Sequence, residues 1–163
     1  MKLRDDYLRR LYEGAGPNRS ARLQNRASAI AFGMGIWPSR LAALEVRGRK
    51  SGRTISSPIV IANYEGERYL VSMLGERSNW VRNVRAANGQ AVLRHGRRED
   101  IRLEEVAVRS RPAILRQYLG VAPGARPHIP VDRHASLGEF ERIAGQFPVF
   151  RLTPAVAAPS PDS

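Results

Sequence analysis

Residues 48–54, with the sequence GRKSGRT, combine side chains and backbone that can bind an anion. The two glycines allow close approach of the backbone, so that successive N–H groups can converge on an oxyanion. Arg49 and Arg53 offer planar guanidinium groups that match phosphate or carboxylate, and Lys50 offers a compact ammonium group. Ser51 adds a hydroxyl. These residue types predict an anion site in a turn between two apolar segments.

A turn of this kind also has a simpler interpretation, which is a solvated basic loop that joins two strands. The segment lacks the G-x-x-x-x-G-K-[ST] order of a Walker phosphate loop, and no helix clearly follows it. Taken alone, the turn leaves both interpretations open.

Composition narrows the class of protein. The length of 163 residues fits one domain with a normal hydrophobic core. The absence of cysteine excludes disulfides and thiolate metal sites, and the three histidines are scattered, so we expect no metal. No apolar stretch approaches the roughly twenty residues that cross a bilayer, and the charged N-terminus does not resemble a secretory signal. We therefore expect a cytoplasmic protein.

The formal net charge of +12 indicates attraction to a polyanion: a nucleic acid, an anionic lipid surface or a small molecule. Aromatic residues make up only 7% of the chain, and the stacking motifs of single-strand binding domains are missing, so we expect no nucleic-acid partner. An arginine-rich proteome would also produce this charge without any functional reason.

The pattern of apolar residues in the N-terminal segment, residues 1–36, predicts helices. Apolar side chains recur at helical spacing near its start, opposite a charged face; they are Leu3, Tyr7, Leu8 and Leu11. Such a basic amphipathic helix is able to lie on an anionic bilayer, which would make the protein membrane-associated. Packing against the body of the domain is the commoner fate of such a helix.

Residues 40–154 show the alternation and turn residues of a mainly β structure with inserted helices. Residues 41–46, 57–64 and 68–74 read as three strands of a meander. The later elements, in chain order, are a helix at 78–87, strands at 91–95 and 98–108, helices at 112–119 and 136–144, and a closing strand at 147–152. About six antiparallel strands with helices predict an α+β fold, a small antiparallel β-barrel. Residues 155–163 predict a flexible tail.

Several motifs recur along this region in a fixed order. They are LEVRGRKSGRT at 44–54, PI at 58–59, YLVS at 69–72, NWxxNxxA at 79–86 and PVFRLTP at 148–154. Together they resemble the deazaflavin-dependent nitroreductase family, and the likeness extends from about residue 35 to residue 154. The resemblance implies a split β-barrel that binds coenzyme F420, an 8-hydroxy-5-deazaflavin with a phosphodiester and an oligoglutamate tail.

The resemblance implies that the basic turn holds the phosphate of the coenzyme. The residues at the matching positions are Arg49, Lys50, Ser51 and Gly52, with Arg53 beside them. A long anionic coenzyme would also give the basic charge a partner of opposite sign.

The resemblance further implies that Val71 and Ser72 lie near the deazaflavin ring, and that Trp80 and Asn83 lie against the coenzyme. The last two are three residues apart, so they share a helix face. Without the family, a core tryptophan beside a surface asparagine is the simpler interpretation of this pair.

The implied reaction is hydride transfer from the reduced coenzyme to an activated acceptor, which is a quinone, an enone or a nitro compound. The protein would orient the ring, exclude water and stabilise negative charge on the acceptor. The candidate catalytic residues are Ser72, Tyr118 and His128. Tyr118, His128 and His134 are possible proton donors, although each of these three is more often structural than catalytic. Some family members bring tyrosines from the C-terminal region to the substrate, and residues 111–147 contain one tyrosine.

Two alternatives stay open. One is a non-catalytic binder of coenzyme F420 or of another anionic cofactor such as FMN or haem, with FMN second to F420. The other is a basic module for a nucleic-acid or membrane surface. The resemblance also makes a homodimer an open expectation.

Overall fold

Seven antiparallel strands and three α-helices make up residues 40–156, which are the part of the chain that the computed structural model describes. In chain order they are β1 (Leu41–Arg47), β2 (Thr54–Val60), β3 (Ala62–Tyr64), β4 (Glu67–Val71), α1 (Asn79–Ala86), β5 (Gln90–Arg94), β6 (Arg98–Glu105), α2 (Pro112–Val121), α3 (Leu137–Ile143) and β7 (Val149–Pro154). The predicted helical segment 1–36 lies outside the described residues, as does nearly all of the predicted tail. The proposed division of the chain therefore stays a prediction.

The strands form one sheet in the order β2-β1-β5-β6-β7-β4-β3. Strands β2 and β3 lie at opposite ends of this order, yet Ile61 alone separates them along the chain. Because consecutive Cα atoms are about 3.8 Å apart, the two edges of the sheet must come together at this residue. The sheet therefore curls into a split barrel, and the predicted α+β barrel fold is confirmed.

The sheet has one strand more than the predicted six, because residues 57–64 do not form a single strand. Residue Ile61 interrupts it, and its N–H donates to the carbonyl of Arg40 at 2.7 Å. Strand β2 pairs with β1, whereas β3 pairs with β4. The predicted meander is therefore wrong, since the middle strand contributes to both edges of the sheet.

The inside of the curled sheet holds one hydrophobic cluster. Alternate residues of the strands point inward, as the two-residue period of a strand requires. Helix α1 closes this cluster with two valines. The fully or nearly fully buried members include Leu44, Leu70, Val81, Val84, Leu93, Ile101, Phe150 and Leu152.

A second hydrophobic cluster lies on the opposite face of β3, β4 and β7, beneath α2 and α3. Its buried members include Ala62, Leu115, Leu119, Phe140 and Val149. Helices α2 and α3 match the predicted helices at 112–119 and 136–144 closely. Within residues 40–156, no helix combines the length and the apolar character needed to cross a membrane.

Two turns of the chain depend on residues with positive φ. The β3–β4 hairpin turns at Glu65 and Gly66, both with positive φ (49° and 80°), as a type I′ turn requires. Asn88 and Gly89, which follow the end of helix α1, also have positive φ. These two turns set the connection from β3 to β4 and the connection from α1 to β5.

Candidate functional site

The basic turn connects β1 to β2 and is closed by its own hydrogen bonds. The N–H of Gly48 donates to the carbonyl of Arg53 at 2.7 Å, and the N–H of Gly52 donates to the carbonyl of Gly48 at 2.9 Å. The N–H of Arg53 donates to Oγ of Ser51 at 3.2 Å. Gly52 has a φ of +69°, which glycine adopts without strain. The turn therefore has one defined shape at the end of the hairpin.

Helix α1 holds this turn through Asn83. The side-chain oxygen Oδ1 of Asn83 accepts the backbone N–H of Arg49 at 3.1 Å and Nη1 of the same arginine at 2.8 Å. Both partners are donors, so the atom that faces them must be the oxygen and not the amide nitrogen. Asn83 is 2% exposed, although asparagine usually lies on the surface.

Two backbone amides of the turn remain for a ligand. The N–H groups of Lys50 and Ser51 make no hydrogen bond within residues 40–156. The N–H groups on either side of them do, and these belong to Gly48, Arg49, Gly52 and Arg53. The side chains of Lys50 and Arg53 are exposed, and neither forms an ion pair within that range. Adjacent amides and flanking cations are the donor set that phosphate or carboxylate requires.

Arg47 adds a cation that sequence reasoning missed. It is the last residue of β1 and is exposed, and its guanidinium lies against the turn. A Cβ atom on Gly52 would be 3.7 Å from Nη2 of Arg47 and 3.9 Å from Nε. The signal available in the sequence was the position of Arg47 directly before GRKSG, at the strand end from which the turn starts.

Arg47 also borders an open groove of about 550 Å³ on the outer face of β1, β5 and β6. The other arginines that line this groove are paired: Arg94 with Glu45, and Arg98 with Asp100 at 3.2 Å. Within residues 40–156, Arg47 has no such partner. Its charge is therefore available on the side of the turn that faces the groove.

Trp80 lies on α1, one helical turn before Asn83, and packs against the barrel. Its ring centroid is 5.5 Å from that of Phe150, with the planes inclined at 58°. The indole is half-buried against the inner cluster. The structure thus places Trp80 and Asn83 on the same side of α1, with Trp80 at the barrel and Asn83 at the turn.

Val71 and Ser72 lie at the end of β4 and are both buried. Ser72 is 1% exposed, and its hydroxyl donates to the carbonyl of Gly75 at 2.7 Å. Its backbone N–H donates to the carbonyl of Pro148 at 2.9 Å. The hydroxyl proton of Ser72 is therefore committed to the turn that leads into α1.

Tyr118 and His128 lie on the side of the sheet that α2 and α3 cover. Tyr118 is 4% exposed and belongs to the cluster beneath these helices. His128 is half-buried, and its backbone N–H donates to the carbonyl of Ala125 at 3.0 Å. The basic turn instead contacts α1, so the structure does not group these candidates with the anion site.

Ion pairs also anchor the last turn of α1, which carries Arg85. Arg85 donates to the carboxylates of Glu76, in the turn before the helix, and of Glu105, at the end of β6. The hydrogen bond from Arg85 lowers the pKa of the Glu76 carboxyl. Because α1 carries Trp80 and Asn83, these contacts keep both side chains in place.

Comparison with known proteins relates this geometry to a family. The family model of the F420H(2)-dependent quinone reductase matches residues 19–126, more than half of the 163-residue chain. No curated protein matches the sequence significantly.

Several solved structures have a similar fold. A protein of unknown function, Atu2129 from Agrobacterium tumefaciens str. C58, is 14% identical over 71% of this chain, with a TM-score of 0.50. A domain-swapped dimer is 16% identical over 85% of this chain and 100% of its own, with a TM-score of 0.51. An F420-H2 dependent reductase (FDR-A) is 16% identical over 70% of this chain and 94% of its own, with a TM-score of 0.47.

At these identities the structures bear on the fold alone, and this chain spans about half (48%) of the length of Atu2129. The family model carries the assignment, and the donor set of the basic turn fits an anionic cofactor. The chain belongs to the F420H(2)-dependent quinone reductase family, a family of oxidoreductases that use coenzyme F420.

Proposed function

We propose that this protein transfers a hydride from reduced coenzyme F420 to a quinone or to another activated acceptor, such as an enone or a nitro compound. The observation that carries the proposal is the closed basic turn, in which the amides of Lys50 and Ser51 remain available between flanking cations. The family match over residues 19–126 supports the same cofactor.

We assign the phosphate of the coenzyme to the basic turn. Its ligands would be the amides of Lys50 and Ser51 and the side chains of Arg49, Lys50 and Arg53, with Gly52 allowing close approach. Arg47, beside Gly52, adds a further cation at the groove.

The deazaflavin ring would lie near Val71, Ser72 and Trp80, as the family resemblance implies. The bound coenzyme supplies a hydride donor, and the protein supplies its orientation and a site from which water is excluded. Trp80 is suited to a flat ring because it is half-buried and braced by Phe150.

Reduction of a quinone requires a proton in addition to the hydride, so that both carbonyl oxygens become hydroxyls over the two-electron step. The Ser72 hydroxyl already donates to a carbonyl, and Tyr118 is 4% exposed beneath α2 and α3, in the cluster that also contains Val71. We therefore propose that solvent at the open side of the site delivers this proton. The roles of Ser72, Tyr118 and His128 stay predictions.

The experiment is a titration of the oxidised coenzyme with the protein, followed by coenzyme fluorescence, with FMN in parallel. Oxidation of the reduced coenzyme by menadione is then measured under the same conditions. We expect selective binding over FMN, and turnover that the Arg49→Ala/Lys50→Ala double variant greatly reduces.

The matched control removes two exposed charges elsewhere, Arg109→Ala/Arg116→Ala, and should retain binding and turnover. Absence of binding at low salt would contradict the proposal. Binding without turnover over a panel of quinones, enones and nitro compounds would favour the alternative, a non-catalytic binder. Steeply salt-dependent binding of DNA without coenzyme binding would favour a basic surface module.

A homodimer and a membrane contact through residues 1–36 also belong to this proposal. The homodimer is compatible with the domain-swapped dimer among the similar structures. Light scattering tests the first, and co-sedimentation with anionic vesicles tests the second.

A further inference from the structure

We infer that Asn83 is a positioning residue of the anion site, which acts on the ligand through Arg49. This inference rests on the proposed function, in which the basic turn binds the phosphate of the coenzyme. It differs from the role that the family resemblance implies for Asn83, which is direct contact with the coenzyme.

The acceptor atom of Asn83 is already in use. Its Oδ1 accepts two hydrogen bonds from Arg49, at 3.1 Å from the backbone N–H and 2.8 Å from Nη1. A carbonyl oxygen has two lone pairs, so these bonds fill its capacity. The residue is also 2% exposed, whereas residues 49–53 of the turn that it holds are exposed.

The two hydrogen bonds to Asn83 fix both the backbone and the side chain of Arg49. An exposed arginine loses considerable rotamer freedom when a ligand immobilises it. The bond to Nη1 removes part of this freedom before the ligand arrives, which is preorganisation. The remaining N–H groups of the guanidinium are still able to donate to an anion.

The tip of the turn leaves only some of its backbone amides for a ligand. Three internal hydrogen bonds close the turn, and Asn83 takes the N–H of Arg49. The amides that remain are the adjacent pair of Lys50 and Ser51. By holding Arg49, Asn83 determines which N–H groups an anion can reach.

The asparagine is itself anchored. Helix α1 is joined to the turn before it and to β6 through Arg85, which pairs with Glu76 and Glu105. The neighbouring residue Val84 is fully buried in the barrel cluster. A shift of Asn83 would therefore require a shift of the whole helix.

The test is a double-mutant cycle with Asn83→Leu, Arg49→Met and the double variant, and the control is Asn63→Leu, at an exposed position of β3. Affinity for oxidised coenzyme F420 and for inorganic diphosphate is measured. Each single variant should weaken binding about tenfold, as expected for charge-assisted hydrogen bonds. The double variant should weaken it much less than about a hundredfold, because Asn83 acts through Arg49. Effects that multiply would mean independent contacts and would overturn the inference.

A measurement on the unmodified protein keeps the inference testable if Asn83→Leu does not fold. Diphosphate is titrated while the amide NMR signals are followed. The backbone amides of Lys50 and Ser51 should shift most, and the side-chain amide of Asn83 should shift little. Larger shifts at the Asn83 side chain, or no shift at the turn at all, would refute the inference. Diphosphate shifts at the turn without coenzyme binding would refute the proposed function and leave the role of Asn83 standing.

Discussion

Single residues at the basic turn divide into those that shape it and those that offer charge to a ligand. Gly48 is buried, and a Cβ there would be 2.8 Å from Cδ1 of Ile55. Asn83 is buried as well and holds Arg49. Lys50 and Arg53 are exposed cations whose side chains have no ion-pair partner within residues 40–156. The buried residues define the shape, so that the exposed ones can meet an anion without rearranging.

Arg47→Gln should weaken binding of coenzyme F420 several-fold at low ionic strength. The guanidinium lies beside Gly52 and has no ion-pair partner within the described residues. Its positive charge therefore attracts an anion that is bound in the turn. The loss should shrink as salt is added, because exposed charges are screened within about 10 Å at 0.1 M salt. Fluorescence titrations at two salt concentrations measure this effect.

The control for Arg47 is Arg116→Gln, which removes the same charge from the exposed face of α2. It should leave the affinity unchanged. Equal losses in the two variants would mean that net charge alone attracts the coenzyme and that Arg47 has no local role.

At the scale of elements, α1 is the piece that joins the turn to the barrel. Its inner face carries Val81 and Val84 into the barrel cluster, and Asn83 reaches the turn. Its end is set by Asn88 and Gly89, where the N–H of Gly89 donates to the carbonyl of Val84 at 2.9 Å. The chain then enters β5 directly, so the position of the helix depends on this short connection.

Gly89→Ala should destabilise the protein by about 2 kcal/mol or more. Gly89 has a φ of +81°, and a Cβ there would be 2.3 Å from the carbonyl oxygen of Leu103. That carbonyl belongs to the backbone of β6, so it cannot rotate away as a side chain can. Urea denaturation measures the change.

Gly120→Ala is the matched control, because Gly120 lies in α2 with nothing within 4 Å of its Cβ position. Alanine in a helix is favoured over glycine by about 1 kcal/mol, so this variant should be as stable as the wild type or more stable. A Gly89→Ala variant as stable as the wild type would show that the end of α1 adjusts freely.

At the scale of the whole molecule, an ion pair spans the barrel across β7. Arg68 on β4 and Glu99 on β6 form two hydrogen bonds, at 2.7 Å and 3.0 Å. By strand alternation both residues share the inward side with Leu70 and Ile101. The hydrogen bond from Arg68 lowers the pKa of the Glu99 carboxyl. The pair therefore links the two parts of the sheet in its charged form.

The stability contributed by Glu99 should disappear in acid. Its folded pKa is below its unfolded pKa, so the contribution is complete above the unfolded value, about 4.3, and is lost as the pH falls through the folded value. Glu99→Gln should lower stability by about 1 kcal/mol at neutral pH, a modest amount because the pair is partly solvated. Its deficit relative to the wild type should shrink below about pH 4. Thermal unfolding across this range measures both effects.

Glu141→Gln is the control, since Glu141 is exposed on α3 and forms no ion pair within the described residues. It should change stability little at any pH. A deficit in Glu99→Gln that stays constant down to pH 3 would contradict a contribution from the charged carboxylate.

The sequence by itself determined the features whose cause is local. The basic turn, the Glu65-Gly66 hairpin and the turn at Asn88-Gly89 after α1 are each specified by a few adjacent residues. Glycine and asparagine adopt the positive φ that such turns require. The tertiary structure decided which distant groups meet. Asn83 reaches Arg49 across 34 residues, and Ile61 divides one predicted strand between two edges. Periodicity and turn chemistry describe neighbours along the chain, so they carry no information about partners that only the closure of the barrel brings together.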